Sequence, residues 1–208
     1  MKNQVILLCG FPASGKLTMA KRLEAAGGLL LDNHHFYDFV KPFVGPIVKM
    51  DSAEKGRYFD EMGKLQSCFF DFLGKFYPKD EKVVYVLTLV MLQGIENGLE
   101  NRLENIKKLV ADIDADFIPI QLLGSPEVLK NRCQTESRKA RGKLVNPERM
   151  DVLLKQYKPL QFDHPNKLVI DVSNLDEEET FGIIKKHLAK FENQPVLESL
   201  KTFNQSVR

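Results

Sequence analysis

The stretch Gly10-Phe11-Pro12-Ala13-Ser14-Gly15-Lys16-Leu17-Thr18 directly follows the apolar run Val5-Ile6-Leu7-Leu8-Cys9. Its two glycines and its lysine have the spacing of a phosphate-binding loop. Glycines let the backbone curl so that its N–H groups point at phosphate oxygens, and the lysine adds a positive charge for the outer phosphates. A helix predicted over residues 17–26 directs its positive dipole end at the same anion. The residues predicted to hold the phosphates are Gly10, Pro12, Ala13, Ser14, Gly15, Lys16, Leu17 and Thr18.

The position after Lys16 departs from the usual pattern of such loops. Serine or threonine normally stands there, and its hydroxyl binds Mg²⁺. Leu17 offers no oxygen, and Thr18 follows one place later. Either Thr18 takes over part of the metal-binding role, or phosphates, waters and a carboxylate elsewhere hold the ion. A third interpretation is a loop that binds nucleotide and catalyses poorly.

Composition and charge narrow the class of protein. With 208 residues, 43% apolar and 28% charged, the chain has the size and composition of one globular domain. Its net charge of +2 supplies no general basic field for nucleic acid. Cys9, Cys68 and Cys133 lack metal-ligand spacing, which favours reduced thiols in a cytoplasmic protein. The apolar runs are too short for a signal peptide or a membrane span, so no membrane contact is expected.

Apolar runs alternate with helical patterns along most of the chain. Strands are predicted at residues 5–9, 29–31, 83–90, 117–123 and 168–172. Helices are predicted from Asp51, over residues 95–110, after Ser125-Pro126, and from the acidic residues 176–179. The alternation predicts a three-layer α/β fold, with a five-stranded parallel sheet and helices on both faces. Residues 1–191 form the predicted domain, and residues 192–208 a weakly patterned C-terminal tail.

The helix predicted from Asp51 carries an apolar stripe. Its members recur at steps of three and four residues, which places them on one helix face: Tyr58, Met62, Leu65, Phe69, Phe72 and Phe76. Such a stripe is more often core than a ligand site, so we expect it to face the sheet.

Four stretches together resemble the nucleoside-monophosphate-kinase-like group of P-loop kinases. They are residues 10–18, Leu31-Asp32-Asn33-His34, residues 121–132 and residues 137–144. By these motifs the chain is most similar to shikimate- and gluconate-kinase-like proteins, and the resemblance covers about residues 3–190. The combination of Gly-Lys-Leu-Thr in the loop with Asn-His after the second strand resembles one branch of this group. Resemblance to that branch implies a fold and a cofactor, but it does not imply a substrate. The resemblance implies ATP and Mg²⁺ as cofactors, with phosphoryl transfer to a hydroxyl of a small-molecule acceptor.

Asp32 ends the second predicted strand, at the sheet edge where parallel α/β proteins bind ligands. In the resembling kinases an acidic residue here helps hold Mg²⁺ or orients the acceptor hydroxyl, although many have Asp-x-Asp where this chain has Asp32 and His34. An Asx-turn after the strand is the structural alternative. In extended backbone His34 and His35 point in opposite directions, which disfavours a shared zinc. His34 is then either a substrate contact or a structural loop histidine.

Residues 132–147 are polar and arginine-rich, without an apolar period, and resemble the lid of these kinases. The resemblance assigns Arg132 to the nucleotide, and assigns Arg138 and Arg141 to the charge that builds on the transferred phosphoryl group. A solvated basic loop and a nucleic-acid patch are the alternatives, and no aromatic residue interleaves the basic ones as nucleic-acid binding would favour. Arg57 is predicted to grip an anionic acceptor, or to be a solvated surface residue.

The sequence thus predicts a phosphotransferase with Lys16, Asp32 and Arg138 as its catalytic residues. Thr18 and Asp32 are the predicted metal ligands, and His34 and Arg57 the predicted acceptor contacts. A nucleotide-binding regulator with weak or no catalysis, and a kinase of nucleic-acid ends, are the rival hypotheses. The expected partner is a small molecule, and both a monomer and a homodimer remain open.

Overall fold

The computed structural model describes residues 2–45, 50–93, 99–139 and 143–191. Its β-strands are β1 Asn3–Gly10, β2 Leu29–Asp32, β3 Val84–Leu89, β4 Leu92–Gln93, β5 Ala115–Leu123, β6 Lys158–Pro159 and β7 Leu168–Asp171. Its α-helices are α1 Lys16–Ala25, α2 Asn33–Val44, α3 Ser52–Phe76, α4 Leu99–Asp112, α5 Pro126–Cys133, α6 Glu136–Lys139, α7 Pro147–Gln156 and α8 Glu177–Leu188. A 3₁₀ turn at Ala189–Phe191 follows α8. Within the described residues, no helix is long and apolar enough to cross a membrane.

Five strands form one parallel sheet, in the order β2-β3-β1-β5-β7. The central strand β1 pairs with β3 on one side and with β5 on the other. Since all five strands run the same way, their carboxyl ends meet at one edge, where ligands bind in open α/β sheets. The predicted five-stranded parallel sheet is confirmed, and each predicted strand overlaps an observed one.

The two faces of the sheet carry separate apolar cores. Along β1, Val5, Leu7 and Cys9 belong to the core that α3 and α4 cover. The alternate residues Ile6 and Leu8 belong to the core that α1 and α8 cover. Successive side chains of a strand point to opposite faces, so a strand buried on both sides is apolar throughout. This explains the continuous apolar run that precedes the phosphate loop.

Residues 33–44 form helix α2, so the expectation of extended backbone around His34 and His35 is wrong. The segment carries an internal Pro42, and the structure shows no side-chain hydrogen bond at its N-cap, so its local helix propensity is weak. Tertiary packing overrides this weak propensity. Phe36 packs edge-on against Phe69 of α3, with 5.4 Å between ring centroids, and Tyr37 stacks on Tyr58 at 6.0 Å.

The apolar stripe of α3 is core only in part. Met62 is 3% exposed, but Phe72 and Phe76 are 56% and 69% exposed. Phe69 of the predicted stripe packs on the sheet core, together with Phe70, Leu73 and Tyr77, which are not stripe residues. Each of these three follows a stripe residue by one position, so the buried face is turned only partly away from the predicted stripe. Both faces are rich in aromatic residues, so periodicity alone did not identify the buried one.

The predicted lid, residues 132–147, contains more regular structure than its sequence pattern indicated. Arg132 and Cys133 belong to α5, and the Cys133 side chain is fully buried. Leu144 packs against the cluster of Ala13, Cys133 and Met150. Asn146 caps α7, which begins at Pro147. Arg141 and the predicted tail 192–208 lie outside the described residues.

Candidate functional site

The loop between β1 and α1 has the tight backbone that its glycines predict. Gly10 and Gly15 have φ angles of 144° and 93°, in the region that favours glycine. A Cβ atom at Gly10 would lie 2.2 Å from the carbonyl oxygen of Leu122, so only glycine fits beside β5. Ala13 also has a positive φ of 66°. These positive φ angles let the chain turn tightly after β1, and α1 begins directly after the turn, at Lys16.

A cleft of about 560 Å³ opens over this loop at the carboxyl edge of the sheet. Its lining includes predicted functional residues from separate parts of the chain: Lys16, Thr18, Asp32, His34, Arg132 and Arg138. Residues 12–15 and Leu17 of the loop line it as well. Gly10 lies at the base of the loop and does not line the cleft. Arg57 does not line it either, and is exposed on α3.

The Lys16 side chain folds back onto its own loop. Its Nζ donates hydrogen bonds to the carbonyl oxygens of Phe11 and Gly10, at 2.6 and 3.0 Å, and lies 3.4 Å from the Ser14 hydroxyl. Burial lowers the pKa of Lys16 to about 7, and the nearby cations Arg138 and Lys143 contribute in the same direction. An anion in the cleft would oppose both effects, because it stabilises the charged ammonium.

Asp32 ends β2 and is only 6% exposed. Its Oδ1 accepts a hydrogen bond of 2.5 Å from the hydroxyl of Thr88. The two residues are direct neighbours in the register of β2 and β3, and both line the cleft. This hydrogen bond fixes the orientation of a buried carboxylate that lines the cleft together with the phosphate loop.

Leu17 and Thr18 differ in their suitability as ligands. Leu17 is half-buried and has no polar atom, while Thr18 is exposed on the first turn of α1. Both line the cleft. The hydroxyl that the loop lacks at Leu17 is therefore not replaced by a buried hydroxyl at Thr18.

Two arginines border the cleft from the α5–α6 region. Arg132 donates from Nη2 to the carbonyl oxygens of Val172 and Leu175, at 3.1 and 3.2 Å. Arg138 donates from Nε and Nη2 to the carbonyl oxygen of Leu144, at 3.2 and 3.0 Å, and burial lowers its pKa. The Lys143 amide also donates to the Arg138 carbonyl at 3.1 Å. These bonds hold Arg138 and Lys143 at the cleft wall.

His34 lies on the first turn of α2 and is half-buried. Burial lowers its pKa, and the positive charge of Lys143 lowers it further. The neutral imidazole has one donor nitrogen and one acceptor nitrogen, so it is suited to bind a hydroxyl group.

Sequence analysis missed several residues of the cleft, namely Thr88, Thr135, Lys143, Asp176, Glu177 and Thr180. Thr88 was detectable in principle, because it is a polar residue near the carboxyl end of an otherwise apolar strand. The sequence analysis assigned Asp176 and Glu177 only to a helix start, and they do form the start of α8, with Asp176 as its N-cap. Nothing in the sequence indicated that this helix start borders the phosphate loop.

Solved structures resemble the chain, although no protein-family model and no curated protein sequence matches it. A candidate kinase from Chloroflexus aurantiacus superposes with a TM-score of 0.61 at 18% identity, over 90% of this chain and 99% of that one. A sugar kinase from Janibacter sp. HTCC2649 gives 0.52 at 16% identity, over 90% and 95%. Shikimate kinase from Acinetobacter baumannii, in complex with shikimate, gives 0.53 at 16% identity, over 92% and 96%. The chain therefore has the fold of P-loop kinases.

Proposed function

We propose that this protein transfers a phosphoryl group from ATP to a hydroxyl of a small-molecule acceptor. One observation carries the proposal: Lys16, Asp32 and Arg138 line a single cleft with the phosphate loop. A cation on the loop, a buried carboxylate and a second cation in the same cleft are groups that phosphoryl-transfer sites use. The fold, which the chain shares with P-loop kinases, supports the same assignment.

In the proposed binding step, the backbone of residues 10–16 holds the phosphates of ATP. Lys16 exchanges its bonds to the Phe11 and Gly10 carbonyls for bonds to the outer phosphate oxygens. The N-terminus of α1 adds its positive dipole end to the same site. Arg132 lies at the wall formed by Val172 and Leu175, where it is positioned to contact the nucleotide.

The donor set of the cleft fits Mg²⁺. In phosphoryl-transfer sites this ion is bound by one or two carboxylates together with the substrate phosphates. Asp32 supplies a buried carboxylate. The described part of the chain holds no group of three His, Cys, Asp or Glu side chains that could bind a metal ion by itself, so the nucleotide phosphates would have to supply further ligands. Mg²⁺ bound with the nucleotide supplies charge neutralisation on the phosphates. Asp32 would hold it, with Thr18 as the other ligand that the sequence predicts.

The acceptor hydroxyl is proposed to bind between Asp32 and His34. Asp32 would orient the hydroxyl, and the neutral His34 would bind a further polar group of the acceptor. Arg138 is proposed to neutralise charge on the transferred group, as a residue of the lid 132–147. Arg57 as an acceptor contact stays a prediction, and it requires the acceptor to extend beyond the cleft lining.

The test is ADP production from ATP and Mg²⁺ across a library of hydroxylated metabolites. We expect one chemical class of acceptor to stimulate ADP formation, and Lys16→Ala to abolish the stimulation while the protein stays folded. Binding of ATP without stimulation by any acceptor would instead support the nucleotide-binding regulator, which the missing hydroxyl at Leu17 favours. If wild-type and Lys16→Ala protein bind ATP equally in calorimetry, the phosphate-loop assignment is wrong.

A further inference from the structure

The phosphate loop lacks a hydroxyl at Leu17, yet a buried hydroxyl lies elsewhere in the cleft. Nucleotide sites of this kind hold Mg²⁺ with a loop serine or threonine and with a strand aspartate. Here the aspartate is Asp32, and the hydroxyl bonded to it belongs to Thr88 of β3. The pair offers one carboxylate and one hydroxyl oxygen, which are the same two ligand types.

Thr88 lies on the sheet face that α1 covers. Val84 and Val86 of the same strand pack in one cluster with Met19 and Ala20 of α1. Alternate residues of a strand share a face, so Thr88 continues this row toward the carboxyl edge. Thr88 lines the cleft at this edge, as does Leu17, the second residue of α1.

The hydrogen bond leaves oxygen atoms available in both partners. The Thr88 hydroxyl is the donor in this bond, so its oxygen keeps its lone pairs for a cation or a bound water. The bond engages Oδ1 of Asp32 and orients the carboxylate, whose Oδ2 is the second oxygen. Thr88 is 4% exposed, which protects the arrangement from competing bulk water.

We propose that Thr88 supplies the hydroxyl that the phosphate loop lacks at Leu17, and that it positions Asp32 to hold the water shell of the nucleotide-bound divalent cation. The proposal rests on the proposed function and assigns to β3 a role that usually belongs to the loop. Thr18 is the competing candidate, but it is exposed and no hydrogen bond joins it to Asp32 among the described residues. A role for Thr88 restricted to β2–β3 packing is the alternative that the experiment has to separate.

The experiment measures the affinity for a non-hydrolysable ATP analogue by calorimetry, once with Mg²⁺ and once with EDTA. The dissociation constant in EDTA divided by the dissociation constant with Mg²⁺ reports how strongly the metal assists binding, independently of catalysis. Thr88→Val should reduce this ratio about 10-fold while leaving the affinity in EDTA unchanged, as expected for the loss of a residue that orients a metal ligand. Thr88→Ser, which keeps the hydroxyl, should retain the wild-type ratio.

A second substitution tests the relocation itself. Leu17→Ser in the Thr88→Val background should restore the ratio, because it returns a hydroxyl to the loop. In otherwise wild-type protein, Leu17→Ser should change the ratio only slightly, since Thr88 already provides the group. Val86→Ala is the control for packing: it truncates a buried side chain on the same face of β3 that does not line the cleft, and it should not alter the metal dependence.

Three results would overturn the proposal. One is an unchanged ratio in Thr88→Val, and another is an equal loss of affinity with and without metal that Leu17→Ser does not restore. The third, which does not depend on the folding of Thr88→Val, is a gain of 10-fold or more from Leu17→Ser alone. Failure of the wild-type protein to bind the nucleotide at all would instead contradict the proposed function.

Discussion

At the scale of single residues, the hydrogen bonds and the pKa of Lys16 in the free protein differ from those proposed for the ATP-bound protein. The ammonium is bonded to two carbonyls of its own loop, and burial lowers its pKa to about 7. A triphosphate would add negative charge beside it and return its pKa toward the usual range near 10.4. Binding of ATP is therefore coupled to protonation of this side chain.

The coupling predicts proton uptake on ATP binding above pH 7. At pH 8 a group with a pKa of about 7 is mostly neutral in the free protein, and the bound state is charged, so close to one proton is taken up. At pH 6 the group is already charged in both states, and its uptake disappears. Calorimetry in two buffers that differ in ionisation enthalpy measures the number directly.

The matched variant is Lys16→Arg, which keeps the positive charge and does not deprotonate. It should bind ATP at pH 8 without this proton uptake. Equal binding enthalpies of the wild-type protein in both buffers at pH 8 would mean that Lys16 already carries its proton before the nucleotide binds.

At the scale of elements, the α5–α6 region contributes Arg132, Thr135 and Arg138 to the cleft. Its proposed role as a lid rests on Arg138, whose guanidinium is bonded to the Leu144 carbonyl and lines the cleft. Transfer of that guanidinium to a phosphoryl group requires those two bonds to break. As the nucleotide binds, Arg138 would thus exchange the Leu144 carbonyl oxygen for a charged phosphate oxygen as its hydrogen-bond acceptor.

We predict that Arg138→Ala lowers kcat about 100-fold or more and changes the ATP affinity much less, because the contact is strongest as charge develops on the transferred group. Arg149→Ala, at an exposed position on α7, is the control and should leave both values near wild type. Hydrogen exchange over residues 132–143, with and without a non-hydrolysable ATP analogue, tests ordering by the nucleotide. Equal exchange in both states would favour a plain surface loop.

The face of α3 that packs on the sheet gives a second prediction at this scale. Phe70 is 8% exposed and belongs to the core, whereas Phe72 is 56% exposed and contacts Phe76. Phe70→Ala should lower the free energy of unfolding by about 3 kcal/mol, as expected for a large-to-small change in a core. Phe72→Ala should cost less than about 1 kcal/mol. Denaturant unfolding of both variants measures the difference, and equal losses would contradict the observed face.

At the scale of the whole molecule, the parallel sheet brings distant parts of the chain to one edge. The cleft combines the loop after β1, the ends of β2 and β3, the α5–α6 region and the start of α8. A ligand that contacts all of these elements stabilises the folded state only, because the unfolded chain does not assemble them.

ATP with Mg²⁺ should therefore raise the melting temperature of the entire domain. At a ligand concentration of 100 times Kd the added stability is about 2.7 kcal/mol. For a domain of this size the expected shift in Tm is about 5–10 °C. Differential scanning calorimetry should show one transition that moves as a unit, and Lys16→Ala should lose the shift. If the transition splits and only one part of it shifts, the elements of the cleft do not unfold cooperatively with the rest of the domain.

The sequence by itself determined the sheet, the phosphate loop and the position of Asp32. These features are local, since buried parallel strands are continuous apolar runs and the loop needs glycine where its φ is positive, as at Gly15. The strand order was not predicted, because the alternation of elements indicates a parallel sheet but not the order of its strands. The pairing of Thr88 with Asp32 depends on the register between β2 and β3, which joins residues 56 positions apart.

Tertiary structure alone decided helix α2, the buried face of α3 and the remaining walls of the cleft. The segment Asn33–Val44 is helical because its aromatic residues pack on α3, not because its own propensities favour a helix. On α3, aromatic residues occur on both faces, and only contact with the sheet selects Phe70 over Phe72 for burial. Lys143 and Asp176 line the same cleft as the phosphate loop because of the path that the chain takes in space. Sequence periodicity carries information about the face of an element, but not about which other element lies opposite it.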